Sequence, residues 1–250
     1  MLNIVIPMAG RGSRFAKEDY IDPKPLIPVN GKRMIEVVIN NLKPACDHQF
    51  IFICQRDHYE SYELRTIFES SCEKYEVVLL DGITDGAAIT VLKAREYIDN
   101  NNSLMIANSD QWVDINVDDY LDDMDRRDLD GSMLTMKASD PKWSYARVND
   151  DGWVSDVVEK VVISDEATVG VYNFRRGSDF CRLADHMVDK GIRSNGEFYV
   201  APVYTFLASE GGKVGVFNVG EEASGMYGLG TPSDLELFLS LEVSVKAVDF

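Results

Sequence analysis

Two short runs near the N-terminus hold residue types suited to phosphate: AGRGSRF at positions 9–15 and PKP at 23–25. Gly10 and Gly12 let backbone N–H groups turn toward an anion with no Cβ in the way. Arg14 offers a planar fork of donors that suits phosphate oxygens. Lys24 stands between Pro23 and Pro25, which restrict the backbone on either side of it. A long side chain with a fixed base loses less entropy on meeting a charged oxygen. Together the runs have the makings of a triphosphate clamp. Two familiar phosphate loops are excluded. No GxxxxGK[ST] run occurs, and GxGxxG would need glycine where Phe15 stands, with a helix starting at once. The chain instead continues KEDYIDPKP, polar and broken by proline.

The charge pattern singles out the same region. The 250 residues carry a formal net charge of -17, which argues against general nucleic-acid binding. Residues 1–33 nevertheless hold six basic side chains (Arg11, Arg14, Lys17, Lys24, Lys32, Arg33) against three acids (Glu18, Asp19, Asp22). A basic island in an acidic protein suggests a local anion site. With 45% hydrophobic and 27% charged residues the composition is that of an ordinary soluble globule. No apolar run is long enough to cross a membrane, and MLNIVIP lacks the basic lead of a signal peptide, so a cytoplasmic location is expected. Cys46, Cys54, Cys72 and Cys181 show no metal-like spacing and are expected as buried free thiols. His48, His58 and His186 are far apart in sequence, which disfavours a histidine zinc site or a Ser-His-Asp hydrolase.

The first half reads as alternating strands and helices. LNIVIPM predicts a buried parallel strand. RMIEVVINNLKPA predicts a helix stopped near Pro44. QFIFIC is a second strand, followed by a helix over DHYESYELRTIFESS with Asp57 as its cap. EVVLL, the helix GAAITVLKAREYI and the strand SLMIAN complete the series. Such alternation predicts a doubly wound, mostly parallel α/β sheet with its ligand at the carboxyl ends of the strands. The glycine turn, the TDG turn and Asp110 all fall at such ends.

From residue 131 the pattern changes to strand-like SMLTMKA, YARVN, WVSDVVEK and TVGVYNF. A helix follows over SDFCRLADHMVDKG, another near FYVAPVYTFLASEG, then the strand KVGVFNV and the helix SDLELFLSLEV. The expected organisation is a single domain over 1–250, with a nucleotide-binding part (1–130) and a mixed-sheet acceptor-binding part (131–250). DINVDDYLDDMDRRDLD is very acidic, but Val117, Leu121 and Met124 give it a helical stripe. It lacks the glycine-centred order of a calcium loop.

PMAGRGSRF…PKPLIPV resembles the signature of the sugar-phosphate nucleotidyltransferases. TDGAAITVL is similar to the family segment that holds the base, and IANSDQ to that carrying the metal aspartate. YARV, VVEK and TVGVYNF resemble segments lining the acceptor pocket, and GLGTPSDLELFL resembles the close of the catalytic domain. The order of these pieces covers nearly the whole chain. The resemblance implies attack by an acceptor phosphate on the α-phosphorus of an NTP, with release of pyrophosphate. Arg14 and Lys24 are then the catalytic residues, Arg14 on the β- and γ-phosphates and Lys24 between the α-phosphate and the acceptor phosphate. Met8, Ala9, Gly10, Gly12, Ser13 and Ser109 are expected around the nucleotide, with Thr84, Gly86 and Ala87 at the base. Asp110 is expected to bind Mg²⁺. Tyr145, Glu159, Lys160, Gly170, Glu197 and Tyr199 are expected around the acceptor.

The chain departs from that pattern in two places, and the first is that ANSDQ lacks the glycine that usually precedes the family's aspartate. Many relatives have a second metal aspartate two residues before the glycine of the GT pair, where this chain has Gly228. Either another carboxylate reaches the metal, or Asp110 carries it with phosphates and water. The size and layout resemble minimal enzymes of the capsule or surface-polysaccharide type, including small cytidylyltransferases. The compact TDG turn favours a pyrimidine, CTP before UTP. The partners implied are an NTP and a small phosphorylated acceptor, without nucleic acid or membrane, and with a homodimer left open. Two other functions compete. A glycosyltransferase of related fold would want a DxD-like motif, and SDQ supplies one carboxylate. A non-catalytic nucleotide-binding subunit fits Gly228 but not the retention of Arg14, Lys24 and Asp110 together.

Overall fold

The computed structural model describes residues 1–10, 13–18 and 20–250. Strand β1 (Leu2–Pro7) is apolar on both sides and lies in the middle of the first half. After it come a short helix α1 (Ser13–Ala16) and a single 3-10 turn at Lys24–Leu26. Strands β2 (Pro28–Val29) and β3 (Lys32–Arg33) form a small hairpin. Its two turn residues, Asn30 and Gly31, both have positive φ, at 46° and 87°. That is the backbone a two-residue hairpin needs, and Asn-Gly supplies it with little strain.

Helix α2 (Met34–Leu42) buries Ile35, Val38, Ile39 and Leu42 against one face of the sheet. Strand β4 (His48–Gln55) leads into two helices, α3 (Arg56–Ser61) and α4 (Leu64–Ser71), where the sequence predicts one. The break falls at Tyr62 and Glu63, and the Leu64 amide bonds the Tyr62 carbonyl. Asp57 does not cap α3, which starts after Gln55; its carboxylate accepts from the next amide, His58 N, at 2.8 Å. Strand β5 (Tyr75–Leu80) is followed by α5 (Ala87–Leu92) and α6 (Arg95–Ile98), again two helices in place of one. Strand β6 (Ser103–Ala107) closes the alternating series.

The rest of the chain contributes β7 (Gln111–Val113), α7 (Val117–Arg126), β8 (Gly131–Lys137), β9 (Ser144–Val148), β10 (Val154–Glu159) and β11 (Glu166–Phe174). After them come α8 (Gly177–Asp189), α9 (Val203–Ser209), β12 (Val214–Glu222), β13 (Gly225–Gly228), α10 (Pro232–Ser240) and α11 (Val243–Lys246). The acidic stretch is helical as expected, with Asn116 as its cap. Val117, Tyr120 and Met124 are its buried stripe.

Strands of both halves lie in one sheet, ordered β5-β4-β1-β6-β11-β8-β12-β13-β7. The run β5-β4-β1-β6 is parallel, β11 is antiparallel to β6 and β8, and β12 and β13 continue parallel to β8. The sheet is therefore mostly parallel, as its strand pattern predicts, with β11 and β7 reversed. The β9–β10 ribbon joins the rest of the sheet through one paired position, Ala167 opposite Tyr145. Helices cover both faces. Ala88, Val91, Phe180 and Leu183 pack on one, and Ile35, Phe68 and Tyr120 on the other. Because β1 sits between β4 and β6, the chain reverses its winding there. A crevice forms outside the carboxyl ends of β1 and β6.

Candidate active site

Met8 extends the β1 ladder by bonding the Ile53 carbonyl at 2.9 Å. Its side chain is packed in the core, away from the crevice. The Ala9 carbonyl accepts from Gln55 Nε2 at 2.7 Å, which fixes where the chain leaves the sheet. Gly10 is exposed, and the space where a Cβ would stand holds no atom within 4 Å. Gly12 and the Ser13 side chain lie outside the described residues. Arg14 is exposed on α1. Phe15, which excluded the dinucleotide pattern, is a buried anchor under the loop, in edge-on contact with Tyr20 at 5.0 Å.

The proline fence around Lys24 is an ordered turn. Pro23 has φ -54° and ψ 143°, Pro25 is buried, and the Arg33 guanidinium donates to the Leu26 carbonyl at 3.2 Å. From this turn Lys24 Nζ reaches Asp110 Oδ2 at 2.7 Å. Both side chains are about three-quarters buried, with relative exposures of 24% and 25%. Asp110 follows β6, and its carbonyl accepts from Leu229 N at 2.8 Å. A Cβ on Gly230 would come within 2.6 Å of Asp110 Oδ2. Glycine there lets the backbone lie close against the carboxylate, where a larger residue would clash. Ser109, beside Asp110, is buried.

On the far side of the crevice, Gly86 starts α5 with φ 118°. Thr84 Oγ1 lies 3.1 Å from the Gly86 carbonyl and 2.5 Å from Thr90 Oγ1, and Thr90 Oγ1 lies 3.2 Å from the same carbonyl. Two hydroxyl protons serve three short contacts in this triangle. With its own proton on the Gly86 carbonyl, Thr84 offers a ligand an acceptor oxygen. A cleft of about 500 Å³ is lined by Ala9, Gly10, Thr84, Gly86, Ala87 and Glu197 among others; Lys24 and Asp110 do not line it, and Asn108, two positions before Asp110, does. A second cavity of about 260 Å³, lined by Leu2, Ser103, Leu121 and Met124, lies at the opposite ends of β1 and β6 and holds none of the expected site residues.

The expected acceptor residues divide into groups. Glu197 lines the cleft with the base turn. Lys160 has φ 57°, an uncommon conformation for a lysine, and its Nζ donates to the Tyr199 hydroxyl at 2.9 Å. That bond raises the Lys160 pKa above the usual lysine value. Glu159 is buried, accepts from the Ser144 hydroxyl, and burial pushes its carboxyl above the ordinary carboxylate range. Tyr145 stands in the core with its hydroxyl on the Asp140 carbonyl at 2.8 Å, so its ring does not face the cleft. Gly170 has φ 82° at a shift in the β11 register. Its Cα lies against the side chains of Asn108 and Gln111, and an added Cβ would come within 2.8 Å of Gln111 Oε1.

Several residues here escape a reading of motifs. Asn108 lines the cleft and, with Gln111, flanks Asp110. Asp85 receives Arg193 at 3.1 Å and ties the base turn to the segment carrying Glu197. Only the run NSDQ, unusually polar for a strand end, hints at the first pair. Of the four cysteines, Cys54, Cys72 and Cys181 are buried as expected, but Cys46 is exposed on the loop before β4.

Among the described residues no group of three or more His, Cys, Asp or Glu side chains is placed to hold a metal ion. The carboxylate nearest the place vacated at Gly228 is Asp234, whose Cγ would lie 3.5 Å from a Cβ added there. Asp110, one hard carboxylate left partly exposed, still fits Mg²⁺, which takes one or two carboxylates together with substrate phosphates and water.

A family model described as nucleotidyl transferase matches residues 4–191. The chain belongs to the nucleotidyl transferase family. It is 26% identical over 230 residues to the bifunctional protein GlmU of Staphylococcus carnosus, covering 87% of this chain and 47% of that protein. The chain thus spans about half the length of that curated relative or less. Among solved structures, the nucleoside-diphosphate-sugar pyrophosphorylase of Vibrio cholerae RC9 superposes with a TM-score of 0.79 at 24% identity, covering 95% of this chain and 100% of the other. The inositol-1-phosphate CTP transferase of T. maritima gives 0.74 at 14% identity, covering 99% and 96%. Both likenesses show that this nucleotidyl transferase chain has their fold. Among the described residues no helix is long and apolar enough to cross a membrane.

Proposed function

We propose that this nucleotidyl transferase moves a nucleoside monophosphate from a pyrimidine NTP, CTP first and UTP next, to a sugar phosphate or other small phosphorylated acceptor. The observation that carries this is the Lys24–Asp110 pair, set at the carboxyl end of β6 beside the Gly10–Gly86 cleft. An acceptor phosphate oxygen attacks the α-phosphorus, the bond from that phosphorus to the bridging oxygen of the β-phosphate breaks, and the electron pair leaves with pyrophosphate. Nucleophile and centre are both anionic, so the chain's task is alignment and charge neutralisation. Lys24 lies between the two reacting phosphates, and Arg14 neutralises the departing pyrophosphate. Mg²⁺, held by Asp110 with phosphates and water, supplies Lewis-acid charge to the triphosphate. Gly10 keeps backbone close to the phosphates, with Gly12 and Ser13 next in the same loop.

The Thr84 oxygen, as an acceptor, suits the exocyclic amine of cytosine or the N3–H of uracil. Glu197, Lys160 and Tyr199 hold the acceptor, with Gly170 giving room for Asn108 and Gln111 at its edge. Synthesis of a surface polysaccharide precursor in the cytoplasm, by a chain that pairs with a second copy, completes the proposal. The test is pyrophosphate release with CTP, UTP, dTTP, ATP and GTP against a panel of sugar, polyol and amino-alcohol phosphates. One NTP with one acceptor class should dominate. Absence of pyrophosphate from every combination, with nucleoside diphosphate released from a nucleotide sugar, would replace the proposal with glycosyl transfer.

A further inference from the structure

We infer that Lys24 holds the place of the divalent cation on Asp110 until a triphosphate arrives, so that the species admitted is the preformed metal–NTP complex and not free metal. The inference rests on the proposed function and concerns the order in which its components bind. Its basis is geometric. Lys24 Nζ sits 2.7 Å from Asp110 Oδ2, in a pair about three-quarters buried. The turn that carries Lys24 is stiffened by Pro23 and Pro25, the second of them buried. The ammonium is therefore delivered to the carboxylate by a preset backbone.

Charge counting then sets the order. Asp110 is the carboxylate that Lys24 neutralises; Gly228 supplies none beside it, and no cluster of three acidic, His or Cys side chains exists among the described residues. A single carboxylate already neutralised by an ammonium has little to offer a bare divalent ion, since two cationic centres on one carboxylate repel each other. A triphosphate changes the balance. Its oxygens give Lys24 an alternative anionic partner and bring their own ligands for the metal. About a quarter of each side chain of the pair stays open to solvent, which leaves room for that exchange. Lys24 thus trades a carboxylate for phosphate in the same event that trades ammonium for metal on Asp110. Metal and nucleotide are coupled through one side chain.

The test follows bound and free Mn²⁺ by electron paramagnetic resonance, using the full chain. Without nucleotide, Lys24→Met should bind Mn²⁺ about fivefold tighter than the natural chain, the equivalent of about 1 kcal/mol for a released ion pair. The gain should vanish in the double variant Lys24→Met with Asp110→Asn. Should the Met variant not melt cooperatively, Lys24→Gln takes its place. Equal Mn²⁺ affinity in the natural chain and the Lys24 variant, both without nucleotide, overturns the inference and leaves the transferase proposal standing. That proposal has a separate arm: with CTP or UTP present, the natural chain should bind more Mn²⁺ than the nucleotide alone does. No added binding with any NTP strikes the function itself.

Discussion

Gly86 lies directly on the backbone of Phe198: a Cβ there would come within 2.5 Å of the Phe198 carbonyl oxygen and 2.6 Å of its amide nitrogen. Two hydrogen bonds close the contact, Ala88 N to Phe198 O at 3.0 Å and Phe198 N to Asp85 O at 2.8 Å. Arg193 adds a third tie, donating to Asp85 while its guanidinium stands 4.1 Å over the Phe198 ring. The turn expected to hold the base and the segment expected to hold the acceptor are thereby one unit. Gly86→Ala must accept both a positive φ and a backbone clash. It should cost about 2 kcal/mol or more in urea unfolding and weaken nucleotide binding in the same variant.

Lys24→Ala and Asp110→Asn should each lower pyrophosphate release by about a hundredfold or more, the range for removing a group that stabilises transition-state charge. Circular dichroism should show the fold retained, because the pair is partly exposed and contributes little to stability. Full activity in either variant would remove that residue from the chemistry.

Tyr199→Phe removes the hydroxyl that receives Lys160 Nζ. The acceptor KM should rise about fivefold, in line with one lost hydrogen bond, with NTP affinity unchanged by calorimetry. A change in NTP affinity alone would place the pair at the nucleotide.

Glu159 gives the stability a pH dependence of known sign. Burial raises its carboxyl pKa above the ordinary 4.5, so the native chain keeps a proton that the unfolded chain has released. The unfolded state then binds fewer protons, and this group's contribution falls as pH rises from 4.5 through the raised native value. Glu159→Gln removes that dependence. The melting temperature of the variant relative to the natural chain should therefore climb as pH rises above 4.5.

Thiol labelling should distinguish one cysteine from three. Cys46 is exposed, whereas Cys54, Cys72 and Cys181 are buried with thiols pushed up to about 12. An aromatic disulfide reagent should titrate one thiol in the native chain and all four in guanidinium.

Sequence was informative where structure is local. The strands LNIVIPM and QFIFIC are continuous apolar runs buried on both faces, a pattern with few other meanings. The two split helices were not legible. Their breaks at Tyr62–Glu63 and Lys93–Ala94 lack glycine and proline, so no local signal marks them. Strand β7 was missed because QWV is three residues long and acquires its strand character from pairing with GMYG, over a hundred positions later. The proline fence marked Lys24, but nothing local says that its ammonium meets Asp110, 86 positions away. The same holds for the contact of Asn108 and Gln111 with Gly170, which exists only once β11 lies beside β6.

The β9–β10 ribbon carries Glu159, with Lys160 just past its end; it pairs with the main sheet at one position, Ala167 with Tyr145, and its strand β10 is bonded to Thr205 on α9. Its inward residues Tyr145, Ala146, Val154 and Val157 belong to the core, so its freedom to vary lies in its outward side chains and its turn, away from the parallel strands that carry the phosphate loop and Asp110. Lineages that meet a new acceptor can therefore rewrite those outward positions while inheriting the nucleotide half intact. Divergence among such chains should concentrate there, and swapping the ribbon between two of them is the shortest route to exchanging what they modify.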